Sequence, residues 1–294
     1  MPRKILVTGA TGKVASLVVP SLKKLGHTVR ALVHDPAKAA RLKEAGVEAV
    51  PGDFGKPESM RAAFTGMDTV FLVTPPHPNA ADWGTQLIAA AKAAGSPHLV
   101  RLSVVKADEN GPTDNTKMHG RSDREVRASG LPYTLLRPHF FMQNLFGSAQ
   151  SIASDGVMYW GMGNGRLGLI DARDIADAAI KVLDAPDAHA GKAYDLTGPQ
   201  SLTFHDMAKT LTKVLGREVK YIPVPVEQVV NSIKQAGMGD WFANVMGQYS
   251  KAYSDNWGVF VNDEVKKLTG HPARSFEAFA REVFAPALQQ PRNS

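Results

Sequence analysis

Through its first 138 residues the chain alternates short apolar runs with longer amphipathic stretches, and this alternation restricts the fold more than any other feature of the sequence. Candidate strands fall at Ile5–Thr8, Thr28–Val33, Glu48–Val50, Thr69–Val73, Leu99–Ser103 and Tyr133–Leu136. Between them lie candidate helices at Lys13–Leu25, Pro36–Ala45, Pro57–Phe64, Asn79–Ala94 and Met118–Ser129, several ending in glycine as helices do. Parallel strands need crossover connections of this length, and helices in those connections cover both faces of the sheet. The expected fold is α/β, a doubly wound parallel sheet of the Rossmann type.

The first strand runs straight into the first helix through Val7-Thr8-Gly9-Ala10-Thr11-Gly12-Lys13-Val14-Ala15. Gly9 suits a tight turn, Gly12 lets backbone amides approach a pyrophosphate, and small Ala15 lets helix and strand pack closely. Unpaired N–H groups and the positive dipole end of the helix then face the anion. A Walker-type loop is excluded, because Val7 stands where that motif needs glycine and Val14 where it needs serine or threonine. A nicotinamide dinucleotide is the expected ligand, bound by Gly9, Thr11, Gly12, Lys13 and Val14.

After the second strand, His34-Asp35-Pro36-Ala37-Lys38 offers both an acid for the ribose of NAD and cations for the extra phosphate of NADP. His34, Lys38 and Lys13 would surround that phosphate, while Asp35 would cap the helix that begins at Pro36. NADP is the expectation, with NAD as its alternative. Asp53 and Phe54, after the third strand, are candidates to lie beside adenine, or else form only a turn with a buried ring. Thr74 and Pro75 end the fourth strand where ribose and nicotinamide would run, unless the proline there serves only to terminate the strand.

After Arg137-Pro138 the pattern changes. A helix is expected over Phe141–Ser154, short strands around Val157–Trp160 and Leu167–Ile170, a helix over Ala172–Asp184 and a strand at Ala193–Thr197, with mainly helix from Thr203 onward. This predicts residues 1–155 as a dinucleotide-binding domain with 171–198 packing back onto it. Residues 199–294 would form a smaller, mainly helical region that caps the substrate, since ligands sit beyond the carboxyl ends of such strands.

Composition excludes several chemistries. Cysteine is absent, which removes disulfides, thiolate zinc sites, iron–sulfur clusters and thiol nucleophiles, so redox chemistry needs a bound cofactor. The net charge of +6 is spread without a lysine or arginine block, which points to a solvated surface and no nucleic-acid partner. Ile5-Leu6-Val7 is too short for a signal peptide, and no stretch is long and apolar enough for a membrane span, so a cytoplasmic location is expected. Disorder is expected only near the ends, for instance Gln289–Ser294. Asp171 and Asp174 are not expected to bind metal, Asp174 being read as a helix cap, and neither His205 nor His271 has a partner at metal-ligand spacing.

Four segments together resemble the NmrA-like branch of the atypical short-chain dehydrogenase/reductases: the Gly9-x-x-Gly12-x-x-Ala15 turn; Leu32-Val33-His34-Asp35-Pro36-x-Lys38; Ser129-Gly130-Leu131-Pro132-Tyr133-Thr134-x-x-Arg137-Pro138 with Phe140-Phe141-Met142-Gln143-Asn144; and Asp171-x-x-Asp174-Ile175-Ala176. His34 departs from the arginine often found there. The resemblance implies an NAD(P)H-dependent reductase of quinones or triphenylmethane dyes, or a non-catalytic NAD(P) sensor that binds a protein partner; a homodimer is compatible with both.

The Tyr-x-x-x-Lys pair of typical short-chain dehydrogenases is missing. The matching helix carries His119 and, one turn on, Asp123, which resembles the His-x-x-x-acid arrangement of reductase-like members, and Ser103 stands where the catalytic serine would be. Two readings of His119 are open: a proton donor tuned by the carboxylate, or half of an exposed helical ion pair. Lys106 is a further candidate for the same site. Phe140, Phe141, Met142, Asn144 and Trp160 are candidate pocket walls for a small aromatic or quinone-like acceptor, alongside Met158, Tyr159 and Met162.

Overall fold

The computed structural model describes residues 1–95 and 97–289. Of the terminal segment expected to lack order, Gln289 ends a helix, and 290–294 lie outside the described residues. The chain forms two compact units. The first comprises Met1–Gly111, Asn115–Arg137 and Ile175–Asp195; the second comprises Pro112–Asp114, Pro138–Asp174 and Leu196–Ser294.

The first unit begins with β1 (Lys4–Val7), α1 (Ala15–Lys24), β2 (Thr28–Val33), α2 (Pro36–Glu44), β3 (Glu48–Pro51) and α3 (Pro57–Phe64). It continues through β4 (Thr69–Leu72), α4 (Ala80–Ala93), β5 (His98–Leu102), α5 (Asp114–Ala128) and β6 (Tyr133–Pro138). The chain then passes through α6 (Ala149–Asp155) and β7 (Val157–Trp160) before α7 (Ala172–Asp184) and β8 (Lys192–Leu196). The sheet has seven strands in the order β3-β2-β1-β4-β5-β6-β8, and the pairings from β3 through β6 are parallel. Ile5, Leu6, Val7, Val70, Phe71, Leu99 and Val100 are fully buried, because helices cover both faces of a parallel sheet.

The strand order reverses beside β1: β2 lies on one side and β4 on the other. Thr8 ties this switch point together. Its buried hydroxyl donates to the Val73 carbonyl at 2.8 Å and faces the Val73 N–H, which donates to it at 2.7 Å, while the Thr8 N–H bonds Phe71 O at 3.1 Å.

Helix α5 starts four residues earlier than the expected Met118, since the polar run Asp114–Lys117 shows no apolar period yet is helical. Its internal Gly120 has a steric reason: a Cβ there would lie 2.4 Å from the backbone carbon of Asp108 and 2.5 Å from the Glu109 nitrogen.

In the second unit the expected helix over Phe141–Ser154 divides into a 3-10 segment, Met142–Ser148, followed by α6. Leu167–Ile170 makes isolated bridges, Leu167 with Leu202 and Ile170 with Phe141, rather than a strand. Glycines let neighbouring backbone come too close for a regular ladder here: a Cβ on Gly168 would meet Phe260 O at 2.3 Å. The structure adds β9 (Lys220–Pro223), paired in parallel with β7, which prolines at 223 and 225 disguise as a loop. Around it lie α8 (Phe204–Leu215), α9 (Val226–Gln235), α10 (Asp240–Ser254), α11 (Glu264–Thr269) and α12 (Phe276–Phe279), and α13 (Ala285–Gln289) ends the described chain. Phe204, Tyr253, Phe276, Phe279 and Phe284 fill this unit's core. Among the described residues no helix is long and apolar enough to cross a membrane.

Replacing the Thr8 hydroxyl by a methyl, in Thr8→Val, leaves the Val73 N–H without its acceptor. The expected loss is about 1–3 kcal/mol, read as a lower urea midpoint with an unchanged slope. An unshifted midpoint would mean that this bond does not hold the switch point.

Candidate active site

The glycine turn sits at the carboxyl end of β1, at the switch point. Gly9 has φ +60°, the left-handed region that glycine enters without strain. The Gly12 N–H closes the turn onto Gly9 O at 2.8 Å, and a Cβ on Gly12 would press on that oxygen at 3.1 Å. Val14 precedes α1 with no side-chain cap, and no acidic residue occupies the first turn. Thr11, Gly12 and Lys13 are exposed on this end, while Ala15 is buried. An uncapped, acid-free helix start behind a glycine turn is suited to a phosphate group.

The other expected dinucleotide contacts follow strands of the same parallel sheet and therefore share its carboxyl edge. Asp35 caps α2, its carboxylate accepting the Ala37 N–H at 2.8 Å, so that acid is engaged locally. His34 and Lys38 are exposed, and His34 Nδ1 lies 3.9 Å from Asp53 Oδ2. Asp53 also closes its own turn by accepting the Gly55 N–H at 2.8 Å. Phe54 is half-buried against Trp83, ring centroids 5.7 Å apart, and Trp83 stacks on His77 at 4.3 Å. Thr74 is half-buried and Pro75 exposed just beyond β4.

The surroundings of His119 differ from both readings of the sequence. The ring is half-buried rather than exposed, and the Asp123 carboxylate is taken by arginines. Asp123 Oδ1 accepts from Arg101 Nη1 at 2.7 Å, and Oδ2 accepts from Arg137 Nε and Nη2, each at 2.8 Å. Arg101 and Asp123 are each 2% exposed. The second Arg101 nitrogen, Nη2, lies 3.1 Å from His119 Nδ1, so a guanidinium rather than a carboxylate touches the ring. Burial first, and then the Arg101 charge, hold the imidazole well below its ordinary pKa.

Ser103 continues the β5 ladder through its N–H to Leu136 O at 2.7 Å, and its buried hydroxyl has no hydrogen-bond partner. Lys106, exposed in the following loop, has φ +51°, an uncommon conformation for a residue with a side chain. The importance of Arg101 was readable in principle: an arginine within Leu99-Val100-Arg101-Leu102, a strand buried on both faces, requires a buried partner.

In the second unit Phe140, Phe141, Met142 and Trp160 line a small apolar pocket together with Phe204 and Phe276. Asn144 is not among its lining residues. Met158 and Met162 are fully buried core, and Tyr159 faces outward. The helix-capping role expected of Asp174 belongs to Asp171, whose carboxylate accepts the Arg173 N–H at 2.9 Å. Asp174 instead bonds the Arg274 backbone N–H at 2.7 Å and pairs with its guanidinium.

The model of the NmrA-like family matches residues 1–277. The chain belongs to the NmrA-like family. This family member is 38% identical to an NAD(P)H azoreductase of Xenophilus azovorans over 277 residues, 94% of this chain and 96% of that one. It superposes on an NADPH-dependent quinone oxidoreductase of Escherichia coli complexed with NADPH with a TM-score of 0.86, at 28% identity, covering 95% of this chain and 99% of the other. A triphenylmethane reductase of Citrobacter sp. complexed with NADP(H) gives a TM-score of 0.83 at 28% identity, with the same coverage.

The buried Arg101–Asp123 pair, with Arg137 half-buried on the same carboxylate, makes a sharp prediction for this NmrA-like protein. Asp123→Ala leaves two guanidinium groups without their shared anion, and the expected destabilisation is about 3–5 kcal/mol by urea unfolding. A loss below about 1 kcal/mol would show that water replaces the carboxylate at little cost.

Proposed function

We propose that this protein is an NAD(P)H-dependent reductase of small conjugated acceptors such as quinones, with NADP(H) as its dinucleotide. The observation that carries the reading is the uncapped start of α1 behind the Gly9–Gly12 turn, at the switch point of a doubly wound sheet. The residues fit the cofactor: no side chain caps the helix start by a hydrogen bond, and no acidic residue occupies its first turn to repel a pyrophosphate. The relatives named as azoreductase, quinone oxidoreductase and triphenylmethane reductase support the acceptor class.

In this reading Gly9, Thr11, Gly12, Lys13 and Val14 hold the pyrophosphate. Lys13, His34 and Lys38 meet the extra phosphate of NADP, because Asp35 is occupied as a cap and does not repel it freely. Asp53 and Phe54 flank the adenine, and Thr74 and Pro75 line the path of the ribose. When bound, the nicotinamide supplies hydride, so the protein's tasks are positioning and charge stabilisation. His119, Ser103 and Lys106 are assigned to the reacting end. Phe140, Phe141, Met142 and Trp160 are assigned to the acceptor; Asn144, which does not line their pocket, is not.

Titration with NADPH and NADH, followed by a panel of quinones, azo dyes and triphenylmethane dyes monitored through nicotinamide absorbance, tests the reading directly. Binding with oxidation is expected; binding without turnover across the panel would favour a dinucleotide sensor. Gly12→Val is expected to abolish binding while the far-ultraviolet dichroism stays native, because the side chain fills the pyrophosphate approach. Lys38→Ala should weaken NADPH about tenfold, the scale of one charge-assisted bond, and leave NADH unchanged. Equal losses for both dinucleotides would remove Lys38 from the phosphate.

A further inference from the structure

The contact between Arg101 and His119 fixes more than a distance. A guanidinium has five N–H donors and no acceptor, so the 3.1 Å contact from Arg101 Nη2 requires a lone pair on His119 Nδ1. In a neutral imidazole the hydrogen is then on Nε2. Among the described residues no protein group accepts a hydrogen bond from that Nε2, which leaves one donor of a half-buried ring available to a ligand.

Arg101 is itself immobilised: it is 2% exposed, and its Nη1 is bound to Asp123, which Arg137 holds from the other side. One positive and one negative charge are therefore buried behind the ring, with the half-buried Arg137 guanidinium on the far side of the carboxylate. Ser103 lies two residues beyond Arg101 in the same extended run, so alternation turns its unpartnered hydroxyl towards the face of the sheet from which Arg101 reaches α5.

We propose that Arg101 is a positioning residue that holds His119 as the Nε2–H tautomer, and that His119 serves the reaction as a hydrogen-bond donor to the acceptor rather than as a proton source. This rests on the reductase reading above. Hydride addition to a conjugated carbonyl places two electrons in the acceptor, oxidises the dinucleotide and leaves negative charge on the acceptor oxygen. The Nε2–H stabilises that oxygen, with the Arg101 charge behind it, and water supplies the proton that completes reduction. The groups facing the ring bear this out: Arg101 from β5 contributes a positive charge, and Asp123 on α5 is neutralised by Arg101 and by Arg137 from β6. Nothing in that set favours an imidazolium.

The test reads the ring directly. Nitrogen-15 correlation spectra of the full-length protein, alone and saturated with NADP, are recorded between about pH 5 and 8, with His119 assigned from the His119→Gln spectrum. The expected result is a protonated Nε2, an unprotonated Nδ1 and no titration across that range. A ring that is protonated on Nδ1, or that titrates near the ordinary histidine value of about 6.5, overturns the proposal.

Two variants extend the test. His119→Ala should lower turnover roughly a hundredfold, while His119→Gln, whose amide N–H reaches near the Nε2 position, should recover a substantial part. Equal loss in both variants contradicts a hydrogen-bond role. Arg101→Met should introduce a pH dependence between about pH 5 and 8 into kcat that the wild type lacks, without changing NADPH affinity. An unchanged profile in folded protein counts against Arg101. Wild-type protein that binds NADPH but passes no hydride to any acceptor of the panel would sink the reductase reading while the tautomer spectrum stands, so the two failures are told apart.

Discussion

The hydrogen bonds between Thr8 and the backbone of Val73 join the ends of β1 and β4, and the arrangement of the first unit depends on that join. On one side of it the chain winds through β2 and β3, and on the other through β4, β5 and β6. The chain connections leave these two paired strands in opposite directions, so the crevice beyond their carboxyl ends opens at this point. The glycine turn begins at the residue after Thr8. A side chain that satisfies the backbone of a neighbouring strand thus also sets where the uncapped end of α1 emerges.

The first unit was largely legible because its signals are local. Apolar runs flanked by glycine and proline mark β1 to β6, and the Pro36 and Pro57 helix starts can be placed from single residues. The second unit was less so. Its irregular pieces, the 3-10 segment at Met142–Ser148 and the bridges at Leu167 and Ile170, depend on contacts with chain far away in sequence. Strand β9 pairs with β7 across more than sixty residues, and its proline-containing sequence carries no period to betray it.

The same division applies to the candidate site. The turn from Gly9 to Ala15 could be read from spacing, because phosphate recognition there uses backbone and one helix end. His119 could be located but not understood. Its spacing from Asp123 suggested a pair on one helical turn, whereas the decisive neighbour comes from β5, eighteen positions earlier. Sequence spacing within a helix reports which side chains share a face; it is silent on a charge that enters from a packed strand. Burying Arg101 and Asp123 costs desolvation, and a hydrophobic replacement of similar size would often be no less stable. A buried ion pair beside the half-buried histidine of α5 therefore argues for orientation of that ring more than for strength of the fold.

Gly120, the residue next to His119, limits how this arrangement can change. The backbone at Asp108 and Glu109 crosses α5 so closely at that point that even one carbon atom does not fit. Sliding the helix by one residue in either direction would bring His119 or Arg121 against that backbone, so small adjustments of helix register are closed to it. The helix is keyed like a notched shaft, and the height of His119 above the sheet is set in whole steps. Change around this helix in a descendant of this protein would therefore have to come from side chains along α5 or from the crossing segment at Asp108 and Glu109, while the helix itself stays where its notch holds it.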